Sequence, residues 1–130
     1  METTKLETVD YEFEGRVYRL TCNMNAIAYV QDEYDGNLVQ ALDRIHGIKS
    51  TLAFLAGMLT DAADSQGITD ENGLPLVFTR KQLGRKLTLA QTVEAGKLIY
   101  PLVLAEVLKN AGAGTKPQED ETKPQEDEKN

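Results

Sequence analysis

Apolar and polar positions alternate through residues 8–22. Val9, Tyr11 and Phe13 are interleaved with Asp10 and Glu12, and after Glu14-Gly15 the alternation resumes with Tyr18, Leu20 and Cys22. A period of two predicts strands, and Gly15 supplies the positive φ of a tight turn, so the stretch is expected to form a β-hairpin. With a two-residue loop, Tyr11 faces Tyr18 and Val9 faces Leu20 on one side, while Asp10 faces Arg19 on the other. Apolar then meets apolar and opposite charges meet, as cross-strand pairing prefers. Two strands alone are marginal, so the hairpin must lie on something.

Beyond residue 22 the apolar period lengthens to that of a helix. Asn23 is a candidate cap for a helix to Tyr34 that carries Met24, Ile27, Ala28 and Tyr34 on one face and is ended by Gly36. Asn37 caps a second, short helix with a Leu38, Leu42, Ile45 stripe, ended by Gly47. A third helix is expected from Ser50 to Gly67. Its Leu52, Leu55, Ala56, Leu59 and Ala63 follow helical spacing, and Phe54 and Met58 widen the buried arc. Residues 68–78, with Asn72-Gly73 and Pro75, read as a loop in which Leu76, Val77 and Phe78 form a short extended piece. Thr79 with Gln82 has the spacing of a capping box and starts a short helix through Lys86. Thr88 with Gln91 repeats that spacing and starts a long helix to Asn110, around which the rest of the chain is expected to be organised.

That last helix is apolar on most of its circumference. From Leu98 to Leu108 only Pro101 and Glu106 interrupt the run. A surface helix shows one apolar stripe, so this one must be covered on more than one side, by its own domain, by a copy or by a partner. Core and partner face are both open readings of this surface. The partner-binding candidates are Ile99, Tyr100, Val103, Leu104 and Val107. Pro101 is expected to kink the helix or split it near Gly96–Lys97. Glu94, Lys97 and Glu106 fall inside any window of the ~20 apolar residues that a membrane span requires, which excludes one here.

From Gly112 onward the character changes. Gly112-Ala113-Gly114 reads as a flexible joint, and TKPQEDE then occurs twice, at 115–121 and 122–128. No residue of 115–130 is apolar, so this segment has no burial to offset its ordering entropy and is expected to be disordered. The expected organisation is a domain over 1–111 and an acidic tail over 112–130. The fold class is mainly α within an α+β arrangement: a short hairpin, about five helices and the tail.

Charge narrows the partners. The chain has 21 acidic and 14 basic residues and a formal charge of −7. The last sixteen residues carry six acids and three lysines, a net of −3, which leaves −4 on the body. A negative body argues against general nucleic-acid binding and against docking on anionic lipid. Cys22 is the only cysteine, so no intrachain disulfide forms. The N-terminal residues have no basic region followed by an apolar run, so no secretory signal is expected and the protein is placed in a cytoplasm.

No catalytic constellation emerges, and no cofactor or metal is expected. His46 has no cysteine or second histidine to form a ligand set with, and reads as a polar residue at a helix end. Asp70-Glu71-Asn72-Gly73 resembles a calcium loop in composition only, because the EF-hand pattern needs an acid and a glutamate where Ile68 and Thr79 stand. Arg80, Lys81, Arg85 and Lys86 form the one basic cluster. Residues 79–97 would carry it as a helix-turn-helix, or it is a solvated face paired with the chain's own acids.

The order of these parts resembles a known family. A G-x-x-Y-x-L hairpin strand (Gly15, Tyr18, Leu20) leads into an alanine-rich helix closing on Glu33-Tyr34-Asp35-Gly36, and N-L-x-x-A-L follows from Asn37 to Leu42. A leucine-alanine helix, a T-x-x-Q start and a final apolar helix complete the series. In order and spacing, over residues 10–108, this is similar to the tail assembly chaperones of long, non-contractile-tailed phages of the HK97 type and of related prophages and gene transfer agents. The resemblance implies a mostly helical, non-enzymatic protein. It implies binding of the tape-measure protein, kept soluble while the tail tube assembles, in the host cytoplasm, with absence from the mature virion. It also implies a homo-oligomer, with the tail tube protein and a frameshift-extended form of itself as further partners. Glu128-Lys129-Asn130 can be encoded as GAA AAA AAC, which contains a slippery heptamer. The acidic repeat and Cys22-Asn23 depart from the family pattern. The alternatives are a minor structural tail protein retained in the particle and a small helix-turn-helix regulator.

Overall fold

The computed structural model describes residues 7–114, with side chains to Lys109. The expected fold class is found: two strands, β1 (Thr8–Phe13) and β2 (Arg16–Thr21), precede five helices, α1 (Met24–Glu33), α2 (Leu38–Asp43), α3 (Ile48–Ser65), α4 (Arg80–Lys86) and α5 (Leu89–Gly114). The hairpin has the predicted register, with Tyr11 opposite Tyr18, Val9 opposite Leu20 and Asp10 opposite Arg19. Its two turn residues, Glu14 (φ 52°) and Gly15 (φ 79°), are both left-handed, the geometry that matches strand twist in a two-residue loop. Phe13, Tyr18 and Leu20 bury the inner face.

Side-chain caps set most helix starts. Asn23 accepts from the Ala26 N–H, Asn37 from that of Gln40, and Thr79 forms a full capping box with Gln82. At α5 the Thr88 N–H donates to Gln91 Oε1 at 2.9 Å and the Gln91 N–H donates to Thr88 Oγ1 at 3.1 Å, the same reciprocal box. The exception is α3. It begins at Ile48 with Gly47 as an extended cap, so Ser50, the expected first residue, lies inside the first turn. There its hydroxyl is fully buried, donating to the Ala41 carbonyl at 3.0 Å and sharing a 2.6 Å hydrogen bond with the Tyr34 hydroxyl. This pair ties the end of α1, the middle of α2 and the start of α3 together.

The organising helix is α3, not the long carboxy-terminal one. Twelve of its eighteen residues are buried, so it has no solvent face over most of its length. α1, α4, α5 and β2 all pack on it. Small side chains make this possible. Ala53, Ala56, Gly57, Ala62 and Ala63 let neighbours approach from several directions, and the α1 backbone comes closest. A Cβ at Gly57 would stand 3.0 Å from the Ala26 carbonyl oxygen and 3.1 Å from Tyr29 Cβ. That seam also corrects the expected face of α1. Ala26, Val30 and Tyr34 are buried at i, i+4 and i+8, whereas Met24 and Ala28 are exposed. The seam selects the alanine that fits the glycine, not the longest apolar side chain.

Residues 68–78 form an irregular loop in which Asp70 Oδ1 accepts from the Asn72 and Leu74 N–H groups. The expected extended piece at Leu76–Phe78 is not regular; the only ladder contact is an isolated bridge between Thr69 and Pro75. Phe78 anchors the loop. Its N–H donates to Thr60 Oγ1 at 2.9 Å, its carbonyl accepts from the same hydroxyl at 3.0 Å, and its ring meets Phe13 and Tyr18 edge-on.

α5 is neither split at Gly96–Lys97 nor ended at the expected joint; it runs to Gly114 through Pro101. Pro101 removes the bond to the Lys97 carbonyl, but both residues are exposed, so water can replace the missing donor. Gly96 packs on Thr51 of α3. The acidic repeat over 115–130 lies outside the described residues.

Two glycines separate packing from propensity. Gly57→Ala pushes a methyl into the α1 backbone and is expected to destabilise by about 1–3 kcal/mol. Gly84→Ala is expected to stabilise by roughly 0.5–1 kcal/mol, because this exposed helical site offers ordinary contact with Leu52 and alanine is the better helix former. Urea unfolding of the two variants checks both signs.

Candidate partner-binding face

α5 is apolar on two sides. Its inner side, Thr92, Ala95, Ile99, Leu102 and Val103, is buried against the domain. Its outer side carries Leu89 (69 % exposed), Val93 (45 %), Leu104 (40 %) and Leu108 (62 %). At 3.6 residues per turn these four fall within an arc of about 100° along some 28 Å of helix, roughly. Half-buried Tyr100 and Val107 share that arc, and its only charged residue is Lys97.

The stripe borders a groove of about 500 Å³ between α5 and the turn that joins α2 to α3. Ile45, Ile48, Val93 and Tyr100 supply its apolar walls, and Thr51, Thr92 and Gly96 also line it. Ile48 is 46 % exposed at its lip. The His46 ring lies against that of Tyr100, with centroids 4.5 Å apart, so the histidine reads as a wall of this groove.

The five candidate residues therefore divide. Ile99 and Val103 are buried in the chain's own core. Tyr100 and Val107 are half-buried at the margin, and only Leu104 is exposed. Sequence reasoning missed Ile48, Val93 and Leu108. Val93 and Leu89 continue the phase of Leu104 backwards along the helix, and that phase was the available signal. Ile48 comes from another element and carried none.

The other candidates are structural. Arg80 donates through Nε to Glu33 Oε1 at 2.8 Å in a half-buried site, and its backbone N–H donates to the Tyr29 hydroxyl at 3.0 Å. Lys86 pairs with Glu14 at 2.9 Å. Two of the four clustered cations are thus engaged by the chain's own acids. Cys22 is buried in the core, where desolvation, with the Glu106 carboxylate adding to it, pushes its thiol up from 9.0 to about 12. Burial likewise raises the Tyr11 and Tyr29 hydroxyls. Among the described residues no group of three His, Cys, Asp or Glu side chains is placed to hold a metal ion, and no helix is long and apolar enough to cross a membrane.

Two outcomes follow. Val103→Asp buries an unpaired carboxylate and is expected to cost about 3 kcal/mol or more, whereas Leu104→Asp is expected to stay within about 1 kcal/mol; thermal melts distinguish them. The Cys22 thiol stays protonated in the folded chain while the unfolded chain ionises it above pH 9.0, so its contribution to stability is present below that pH and is lost as pH rises toward 12. Cys22→Ala is expected to flatten part of that alkaline slope in chemical denaturation.

No family model matches the chain, and comparisons with curated proteins and with solved structures give no match either.

Proposed function

We propose that this chain is a tail assembly chaperone of long, non-contractile-tailed phages, a non-enzymatic protein of the host cytoplasm that holds the tape-measure protein in solution. The observation that carries the reading is the outer stripe of α5. The inner side of the same helix already completes the core, so Val93, Leu104 and Leu108 are not needed to cover this domain. A row of exposed apolar residues about 28 Å long fits an amphipathic helix laid along it, the binding mode that a long helical, apolar client requires. The order of hairpin, helices and capping boxes that carries the family resemblance is also the order of elements in the fold.

In this reading the groove at Ile48 and Tyr100 takes one anchoring side chain of the client, and the stripe takes the rest of its apolar face. Lys97, the one charge on the stripe, fits an acidic residue on the client's flank. Several copies bound along one tape-measure chain multiply weak contacts into a stable holding complex. Such a protein leaves as tube subunits cover the client, so it is absent from the virion.

The Leu104→Asp, Leu108→Asp double variant tests this. On co-expression with the candidate tape-measure protein, the native chain is expected to keep that protein in the soluble fraction and to co-purify with it. The double variant is expected to lose both while melting within a few degrees of the native chain. Full retention of client solubility by a folded double variant overturns the reading, as does recovery of the chain from purified virions.

A further inference from the structure

A two-stranded sheet has two outer edges, and in this fold they are treated differently. The outer edge of β2 is occupied at its middle by one side chain. Gln66, just past the end of α3, accepts from the Arg19 N–H through Oε1 at 2.7 Å and donates through Nε2 to the Val17 carbonyl at 3.3 Å. A side-chain amide thus stands where the next strand would pair.

β1 has no such cover. In an antiparallel hairpin with a two-residue loop the pair flanking the turn, Phe13 and Arg16, is hydrogen-bonded, and bonded and non-bonded pairs then alternate. Tyr11 and Val9 therefore point their backbone groups at β2, whereas Asp10 and Glu12 point theirs outward. Among the described residues no hydrogen bond reaches those outward groups. At Glu12 and the turn end of β1 lies an open groove of about 600 Å³, bounded by β1 and the start of α5. Tyr11, Phe13, Leu87, Ala90 and Leu98 line it, and no β2 residue does, so it lies along the uncovered side of β1.

We propose that this edge takes an extended polypeptide segment in which basic residues alternate with apolar ones, adding a third strand to the sheet. Main-chain pairing at Asp10 and Glu12 provides the binding, and alternate side chains provide the choice of partner. The apolar set enters the groove over Tyr11 and Leu98. The opposite set lies across from the Asp10 and Glu12 side chains, which calls for lysine or arginine there. Glu12 has no ion pair among the described residues, and Asp10 has only a 3.5 Å contact with Arg19 in which both side chains are mostly exposed. Charge also argues against a second copy as the occupant, because β1 meeting β1 would set acids against acids.

This site is formed by other residues than the stripe of α5 and does not depend on the chaperone reading. The test uses the full chain and two short synthetic peptides, one alternating valine with lysine and one alternating valine with glutamate. Backbone hydrogen exchange is followed at Asp10 and Glu12. Both amides are expected to exchange fast in the free chain and to slow roughly tenfold or more with the lysine peptide alone. An Asp10→Lys, Glu12→Lys variant, altered only at exposed positions, is expected to reverse the preference. The Leu104→Asp, Leu108→Asp chain is expected to bind the lysine peptide as the native chain does. Slow exchange of these amides in the free chain overturns the proposal. So does absence of binding, binding without protection at Asp10 and Glu12, equal binding of the two peptides, or an unreversed preference in the variant.

Discussion

The close approach of two backbones at one point governs this fold. Gly57 of α3 meets Ala26 of α1 at a distance that crowds even a methyl group. The helix pair formed there is the platform for everything else. The hairpin, α4 and α5 are laid on the remaining sides of α3, whose alanines keep each layer near. Close packing of this kind gains dispersion over many atom pairs, and it also fixes rotation, because a helix seated on a glycine can turn little. Ser50, locked to Tyr34 and Ala41, holds the same helix at its start, so α3 is pinned both at its first turn and at its middle.

From that platform comes the division of α5 into a committed side and an uncommitted one. α3 can accept only one face of its neighbour. Thr92, Ala95, Ile99 and Val103 satisfy it, and Leu104 and Leu108 are left outside as a consequence of phase. Their exposure leaves an apolar row that the domain does not cover, and it is on this row that the proposed client-binding reading rests. The groove beside the α2–α3 turn has the same origin. Gly96 brings α5 close to Thr51, while Ile48 and His46 stand above the contact and form a wall.

Local signals were legible in the chain because they depend on neighbours in sequence. Asn23, Asn37, Thr79 and Thr88 each accept from the amide three residues on, and the hairpin register followed from the pairing of Asp10 with Arg19 and Tyr11 with Tyr18. What was not legible depends on partners distant in sequence. Counting apolar residues ranked the Leu98–Leu108 run above α3, because small side chains score low although they permit the closest packing. The same count could not tell Ile99 from Leu104, since the two are equally apolar and differ only in the direction they face. Ser50 read as the start of α3, whereas the helix begins two residues earlier with Gly47 as its cap, which leaves the serine hydroxyl for the interior. Pro101 read as a break, but a proline facing solvent loses one bond that water replaces.

The Gln66 side chain at the rim of β2 has a consequence for assembly. Open-ended stacking of a sheet protein requires a receiving border and a donating border on every unit, so that each arrival leaves a fresh site for the next. Here one border is stoppered from within. An addition at β1 then meets no equally open border on the other side of the sheet, which disfavours open-ended growth by that route. With Gln66 standing at the β2 border and the β1 border open, a segment received at β1 gains main-chain pairing without being offered an equally free strand site on the far side of the sheet.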